Sequence, residues 1–181
     1  MQGRTSTYPH VSTIIHQICL DRGYYQDYAE PVDEQAKLIA SQVKQTRMQL
    51  GSAWEWAIKD RYRHHYGDRF VDIGEVVYDG IALTTDLVDT INLLLRINEI
   101  KCTWMSVCEG DNDKLVPYWM QVMAYCKALE TLLSCLRVVF VNGDNRTIRG
   151  PIYRAWERDF SPRELAENWA LIKSYQRSMG L

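Results

Sequence analysis

Apolar residues recur at helical spacing through Ile39, Val43, Leu50, Ala53, Trp54 and Ala57. This stripe predicts one long helix over residues 33–66, stopped by Gly67. Before it, "HVSTIIHQICLDRG" predicts a short helix with Ser12 at its N-cap and Gly23 near its end. The stretch "FVDIGEVVYDGIAL" has strand composition with turn chemistry at Asp79-Gly80, and residues 84–102 follow as two further strands. The run "LVPYWMQVMAYCKALETLLSCL" predicts a long apolar helix beginning near Pro117. Next, "RVVFVNGDNRTIRGPIYRAWERDF" reads as a hairpin turning at Asn142, Gly143, Asp144 and Asn145. In "SPRELAENWALIKSYQRSMG", Ser161 at the N-cap, Pro162 at the first helical position and Glu164 three after the cap form a capping box, and Gly180 ends the helix. The order is helix, helix, three strands, helix, two strands, helix. It predicts a mixed α/β fold with a small central mixed sheet flanked by helices. No repeat, low-complexity tract or Pro/Gly/Ser linker divides the chain, so one domain over residues 1–181 is expected.

The stretch "TTDLVDTINLLLRINEIKC" breaks the apolar pattern with Asp86, Glu99 and Lys101. A hairpin turning at Asn92-Leu93 pairs residues whose numbers sum to 185, which sets Asp86 opposite Glu99. Directly opposed side chains lie about 5 Å apart at Cβ and share a face. Lys101, two residues beyond Glu99, shares it as well, while Ile100 and Cys102 point the other way into a core. Two opposed carboxylates repel and weaken bare pairing. A divalent cation such as Mg²⁺ or Mn²⁺ offsets that repulsion, because both ions take carboxylate oxygens. An acid and a lysine that simply pair on a surface hairpin are the alternative.

Composition narrows the field. At 46% hydrophobic and 24% charged, the chain is that of an ordinary globular protein with a substantial core. A net charge of −2 announces no nucleic-acid partner globally. The segment from Lys44 to Arg69 is locally basic, either a phosphate-binding surface or a solvated helix face. Trp54, Trp104, Trp119, Trp156 and Trp169 lie in amphipathic stretches and are expected in the core or at its edge. Five cysteines without C-x-x-C spacing argue against a zinc ribbon or a disulfide framework. The N-terminal stretch has no continuous apolar signal core, and no segment has the length of a membrane span. A cytoplasmic protein without membrane contact is expected.

The order Asp, hairpin, Glu-x-Lys resembles the core of the PD-(D/E)XK nuclease superfamily. "DGIALTTDLVD" followed by "NEIKCTW" is similar to the segment of phage lambda-type and viral-recombinase (YqaJ-like) exonucleases, in which Pro-Asp-Gly precedes Glu-hydrophobic-Lys-Cys-Pro. Here Glu99, Ile100, Lys101 and Cys102 match, with Thr103 in place of the proline. "QVMAY" resembles the Gln-x-x-x-Tyr helix motif of RecB-like and lambda-type nucleases, with Gln121 and Tyr125 on one helical face. "LGSAWEWAIKDRY" resembles the helix that supplies a further acid, at Glu55.

The resemblance implies a restriction-endonuclease-like fold and a metal-dependent DNA nuclease active in recombination or repair. Glu55, Asp86, Glu99 and the Ile100 backbone carbonyl would ligate Mg²⁺ or Mn²⁺. Asp86, Glu99 and Lys101 would be catalytic. Gln121 and Tyr125 would support the site and contact DNA. Asp79, in "YDG", also matches the Pro-Asp-Gly element and stands in reserve for Asp86. The cysteines lack the arrangement that holds an iron–sulfur cluster in some RecB-like nucleases, and none is expected. Implied partners are DNA, a single-strand annealing protein and further copies of the chain. A phage-type exonuclease is the leading reading. A structure-specific or restriction-like endonuclease and a non-catalytic DNA-binding module with the same sheet are the alternatives.

Overall fold

The computed structural model describes residues 6–25, 33–144 and 150–181. Helix α1, Val11–Asp21, buries Val11, Ile14, Ile15, Ile18 and Cys19, the i, i+3, i+4 stripe of a helix lying on a core. Its N-cap is His10, not Ser12, and the His10 side chain accepts a hydrogen bond from the Ser12 N–H. A β-bridge to Ala82 holds His10 extended, so the first helical residue is Val11.

Helix α2, Glu34–Tyr66, has the expected bounds and is roughly 50 Å long. Its expected apolar stripe is not the packed one: Ile39, Val43, Leu50 and Trp54 are exposed. The inward face carries Gly51, Glu55, Ile58, Lys59 and Tyr62 instead. Ile58 and Tyr62 dock on Phe70, Leu87 and Ile100, and that contact fixes the rotation of the helix.

Strands β1, Glu75–Tyr78, and β2, Ile81–Thr84, form a separate hairpin. Asp79 and Gly80 both take positive φ, 49° and 75°, the backbone of a tight hairpin turn. Four strands therefore precede the third helix rather than three. Strands β3, Leu87–Ile91, and β4, Leu94–Thr103, pair antiparallel from Leu87↔Asn98 to Ile91↔Leu94, which is the expected register. Asn92 and Leu93 make the two-residue turn, with φ of 50° and 67°.

Helix α3, Val116–Ala128, is shorter than its apolar run predicts. The chain breaks at Glu130, φ 52°, and Leu133–Phe140 is strand β5. Strand β5 runs parallel to β4 and is buried along nearly its whole length. A strand covered on both faces has no period-2 signature, so its sequence merges with the helix before it. Strand β6, Ile152–Asp159, pairs antiparallel with β5. Residues 142–144 of the expected turn follow β5, and Asn145 lies outside the described residues. Helix α4, Pro162–Ser178, starts on the expected Ser161/Glu164 capping box.

The four-stranded sheet has the order β3-β4-β5-β6 and mixed sense. Helices α1, α3 and α4 cover one face around Ile14, Ile18, Tyr125, Phe140 and Ile172. The C-terminal half of α2 covers the other face at β4. Among the described residues, no helix is long and apolar enough to cross a membrane.

Candidate active site

Alternation along β4 sorts its side chains between the two layers. Ile97 joins the core under α3, whereas Ile100 joins the small cluster under α2. Glu99 and Lys101 share the parity of Ile97 and face α3. Their ammonium and carboxylate pair directly, and Lys101 Nζ lies 6.0 Å from the centre of the Tyr118 ring. Tyr125 is fully buried on α3 beside them, and Gln121 Nε2 donates to its hydroxyl. Burial, and then the nearby Glu99 carboxylate, push the Tyr125 phenol well above its ordinary range. The "QVMAY" motif thus lies behind the Glu-x-Lys pair.

Asp86 sits in a bend one residue before β3, just outside the ladder. Its carboxylate turns over the strand end, and Oδ2 accepts the Ile100 N–H at 2.7 Å. A strand residue points its N–H and C=O to the same side. The Ile100 carbonyl therefore faces the Asp86 side, beyond the end of β3. The other Asp86 oxygen reaches α2, where Lys59 Nζ lies 2.8 Å from Oδ1 and 2.9 Å from Glu55 Oε1. Glu55, Lys59, Asp86, Glu99 and Lys101 form one cluster of three acids and two ammonium groups.

The electrostatics follow from burial. Burial pushes the Glu99 carboxyl up to about 8, and the Asp86 charge adds to the rise. Burial, and then a hydrogen bond with Asp86, raise Glu55 to about 7. Burial opposes charge on Asp86 too. There Lys101, Glu55 and Lys59 together outweigh it and hold the carboxyl below the usual range. The half-buried Lys101 ammonium is kept charged by Glu99 and Asp86. Glu99 Oε2 is buried and makes no hydrogen bond. An orphaned carboxylate oxygen in a low dielectric is costly, and ligation of a cation is one way to satisfy it. The all-oxygen donors Glu55, Asp86, Glu99 and the Ile100 carbonyl suit a hard divalent cation such as Mg²⁺ or Mn²⁺. Among the described residues, no three His, Cys, Asp or Glu side chains stand close enough to hold a metal ion as placed. The Lys59 ammonium fills the gap between Glu55 and Asp86.

Asp79 lies elsewhere. At the β1–β2 turn it accepts from Trp169 Nε1 at 3.3 Å, and Lys173 Nζ lies 3.5 Å from its Oδ1. Sequence reasoning missed Lys59 as a member of the cluster. The available signal was its i+4 spacing from Glu55 on one helical face.

It also missed a second polar network on the α2 face of the sheet. Arg96 grips Asp89 with Nε at 2.9 Å and Nη2 at 2.7 Å, and Asn98 Nδ2 donates to Asp89 at 2.8 Å. Arg137 donates to Asn98 Oδ1 and to the hydroxyls of Tyr62 and Tyr153.

No protein-family model matches the chain. No curated protein matches it either. Solved structures do. The alkaline exonuclease LHK-Exo from Laribacter hongkongensis superposes with a TM-score of 0.53 at 14% identity, over 96% of this chain and 88% of its own. LHK-Exo in complex with dAMP gives 0.51 at 15% identity over the same shares, 96% and 88%. SSO0001 gives 0.51 at 13% identity, over 96% of this chain and 78% of its own. At these identities the likeness is one of fold: the mixed sheet between helices is shared with a nuclease.

Proposed function

We propose that residues 1–181 form one nuclease domain that hydrolyses phosphodiester bonds in DNA with the help of Mg²⁺ or Mn²⁺. A phage-type exonuclease of recombination or repair is the form we favour. The observation that carries the reading is the convergence of Asp86, Glu99 and Lys101 at the mouth of the β3–β4 hairpin, with an orphaned carboxylate oxygen on Glu99. The shared fold with an alkaline exonuclease and the dAMP complex of that neighbour support it. The "EIKC" match favours the phage-type form.

In this reading Glu55, Asp86, Glu99 and the Ile100 carbonyl hold the cation, which when bound acidifies water and polarises a phosphoryl oxygen. Lys101 stays protonated because Glu99 and Asp86 surround it. Its ammonium orients the attacking water and neutralises charge that grows on the phosphate oxygens. Tyr125 and Gln121 brace the Glu99–Lys101 pair from α3 and keep bulk water from its inner side. The Asp86–Ile100 hydrogen bond fixes the carboxylate at the strand end before any ligand arrives, so little reorganisation is needed.

End-labelled linear duplex and a covalently closed circle, incubated with Mg²⁺ or Mn²⁺, test this. An exonuclease shortens the linear DNA from its ends, leaves the circle intact, and loses activity in Asp86→Asn. Cutting of the circle moves the assignment to an endonuclease. No hydrolysis of either substrate overturns it.

A second reading draws on Lys59, which neutralises Glu55 and Asp86 without a metal. It makes the chain a DNA-binding module that keeps the nuclease sheet. Mn²⁺ calorimetry separates the two: uptake that disappears in Glu99→Gln belongs to the nuclease.

A further inference from the structure

A second concavity lies between the C-terminal half of α2 and β6, on the flank of α2 away from Asp86. Its volume is about 550 Å³, within the range of small-ligand sites. Trp54, Ile58, Arg61, Tyr62, His65 and Tyr153 line it, and none of its lining residues is acidic. Trp54 is 38% exposed, which leaves an indole face open to solvent at the rim. Arg61 is exposed and has no ion-pair partner among the described residues.

The floor adds a charge. Arg137 is only 9% exposed, yet among the described residues no carboxylate lies within ion-pair distance of it. Its Nη1 donates to the Tyr62 hydroxyl at 2.8 Å and the Tyr153 hydroxyl at 2.9 Å, and its other nitrogens to Asn98 Oδ1. The two hydroxyls are also 2.9 Å apart, so one donates to the other. That uses one of the two hydroxyl hydrogens. The second has no acceptor among the described residues and is free for a ligand. A buried cation is costly without an anion. This one is relayed by phenols to the wall of a cleft lined with flat aromatic faces.

We propose that this cleft is a stacking seat for one unpaired nucleotide of a bound nucleic-acid strand. Trp54 and Tyr153, both exposed, offer faces to the base, while the Tyr62 ring is covered by Arg137, Tyr66 and Phe70 and contributes its hydroxyl. Arg61 and the hydroxyl pair above Arg137 meet the phosphate. Aromatic stacking combined with a positive wall is the chemistry by which proteins hold single strands without reading sequence. An apolar peptide leaves the Arg137 charge unanswered, and an acidic one leaves the aromatic faces unused. The seat deepens the nuclease reading and rests on it for the identity of the strand.

The test uses the full chain in chelator, so that nothing is cut, and the fluorescence anisotropy of a dye-labelled short thymidine oligonucleotide. Trp54→Ala and Arg61→Gln, both at exposed positions, each weaken binding about tenfold. An abasic oligonucleotide of equal length binds the wild type as weakly as the thymidine strand binds Trp54→Ala. Unchanged binding in both variants, equal affinity for the abasic strand, or no saturable binding overturns the seat. Cleavage of linear duplex in Mg²⁺ is read separately. A wild type that cleaves while its variants bind normally sinks the seat alone. A wild type that binds through Trp54 but never cleaves sinks the nuclease reading and leaves the seat standing.

Discussion

Lys59 Nζ stands 2.8 Å from Asp86 Oδ1, an ammonium from the α2 layer set on the acid that opens β3. It occupies the gap a cation would take between Glu55 and Asp86. Lys59→Met keeps the stem and removes the charge. We expect the metal-free variant to be less stable by about 1–3 kcal/mol, because the buried Asp86 carboxylate loses a partner. Mn²⁺ should then raise its melting temperature more than it raises that of the wild type. Thermal unfolding with and without Mn²⁺ checks this, and equal shifts mean that Lys59 does not compete for the gap.

Lys101 is the only ammonium paired with Glu99 among the described residues. Lys101→Ala is expected to lower cleavage of linear DNA by roughly 100- to 1,000-fold while the far-ultraviolet circular dichroism stays that of the wild type. Full activity in a clean preparation removes Lys101 from the mechanism.

Without metal, stability should fall as pH rises. Glu55 and Glu99 titrate near 4.5 in an unfolded chain, but at about 7 and about 8 in the folded one. Between those values the native state binds more protons than the unfolded state, so the raised carboxyls contribute most below pH 4.5 and lose their contribution as each ionises. Asp86 acts oppositely, but only at low pH, where its depressed carboxyl finally protonates. In chelator the melting temperature should drop by roughly 5–10 °C between pH 5 and pH 9. Glu99→Gln should flatten the upper part of that decline. A flat wild-type profile contradicts the burial of Glu99.

Leu93 is 95% exposed and holds φ at 67°, a conformation that strains any side chain with a Cβ. Leu93→Gly creates an Asn-Gly turn, the favoured sequence for this geometry. It should stabilise the fold by about 1 kcal/mol in urea denaturation. Destabilisation would mean that Leu93 packs against something in solution.

Local patterns were legible wherever the physics is local. The Ser161/Glu164 box set the start of α4 because both hydrogen bonds lie within one turn of chain. The β3–β4 register followed from the two-residue turn at Asn92-Leu93, and the strand period of two then put Glu99 and Lys101 on one face. The run from Thr131 to Leu136 misled, since a strand buried on both sides carries no alternation to tell it from a helix. The stripe from Ile39 to Trp54 misled for another reason. It is helical in period, but the packed face is set by what the helix meets, and α2 meets the sheet only through its second half.

The sequence by itself determined the mixed α/β class, one strand short before the third helix, and the Asp86, Glu99, Lys101 triplet on one hairpin, because turn chemistry and side-chain alternation act over a few residues. Only the tertiary structure decided which flank of α2 delivers Glu55 and Lys59 to Asp86, that Asp79 belongs to α4 instead, and that Arg137 lies under Tyr62 and Tyr153. Those pairings join residues far apart in the chain, and the rotation and docking of whole elements, which minimise exposed apolar surface, choose among them without any mark in the local pattern.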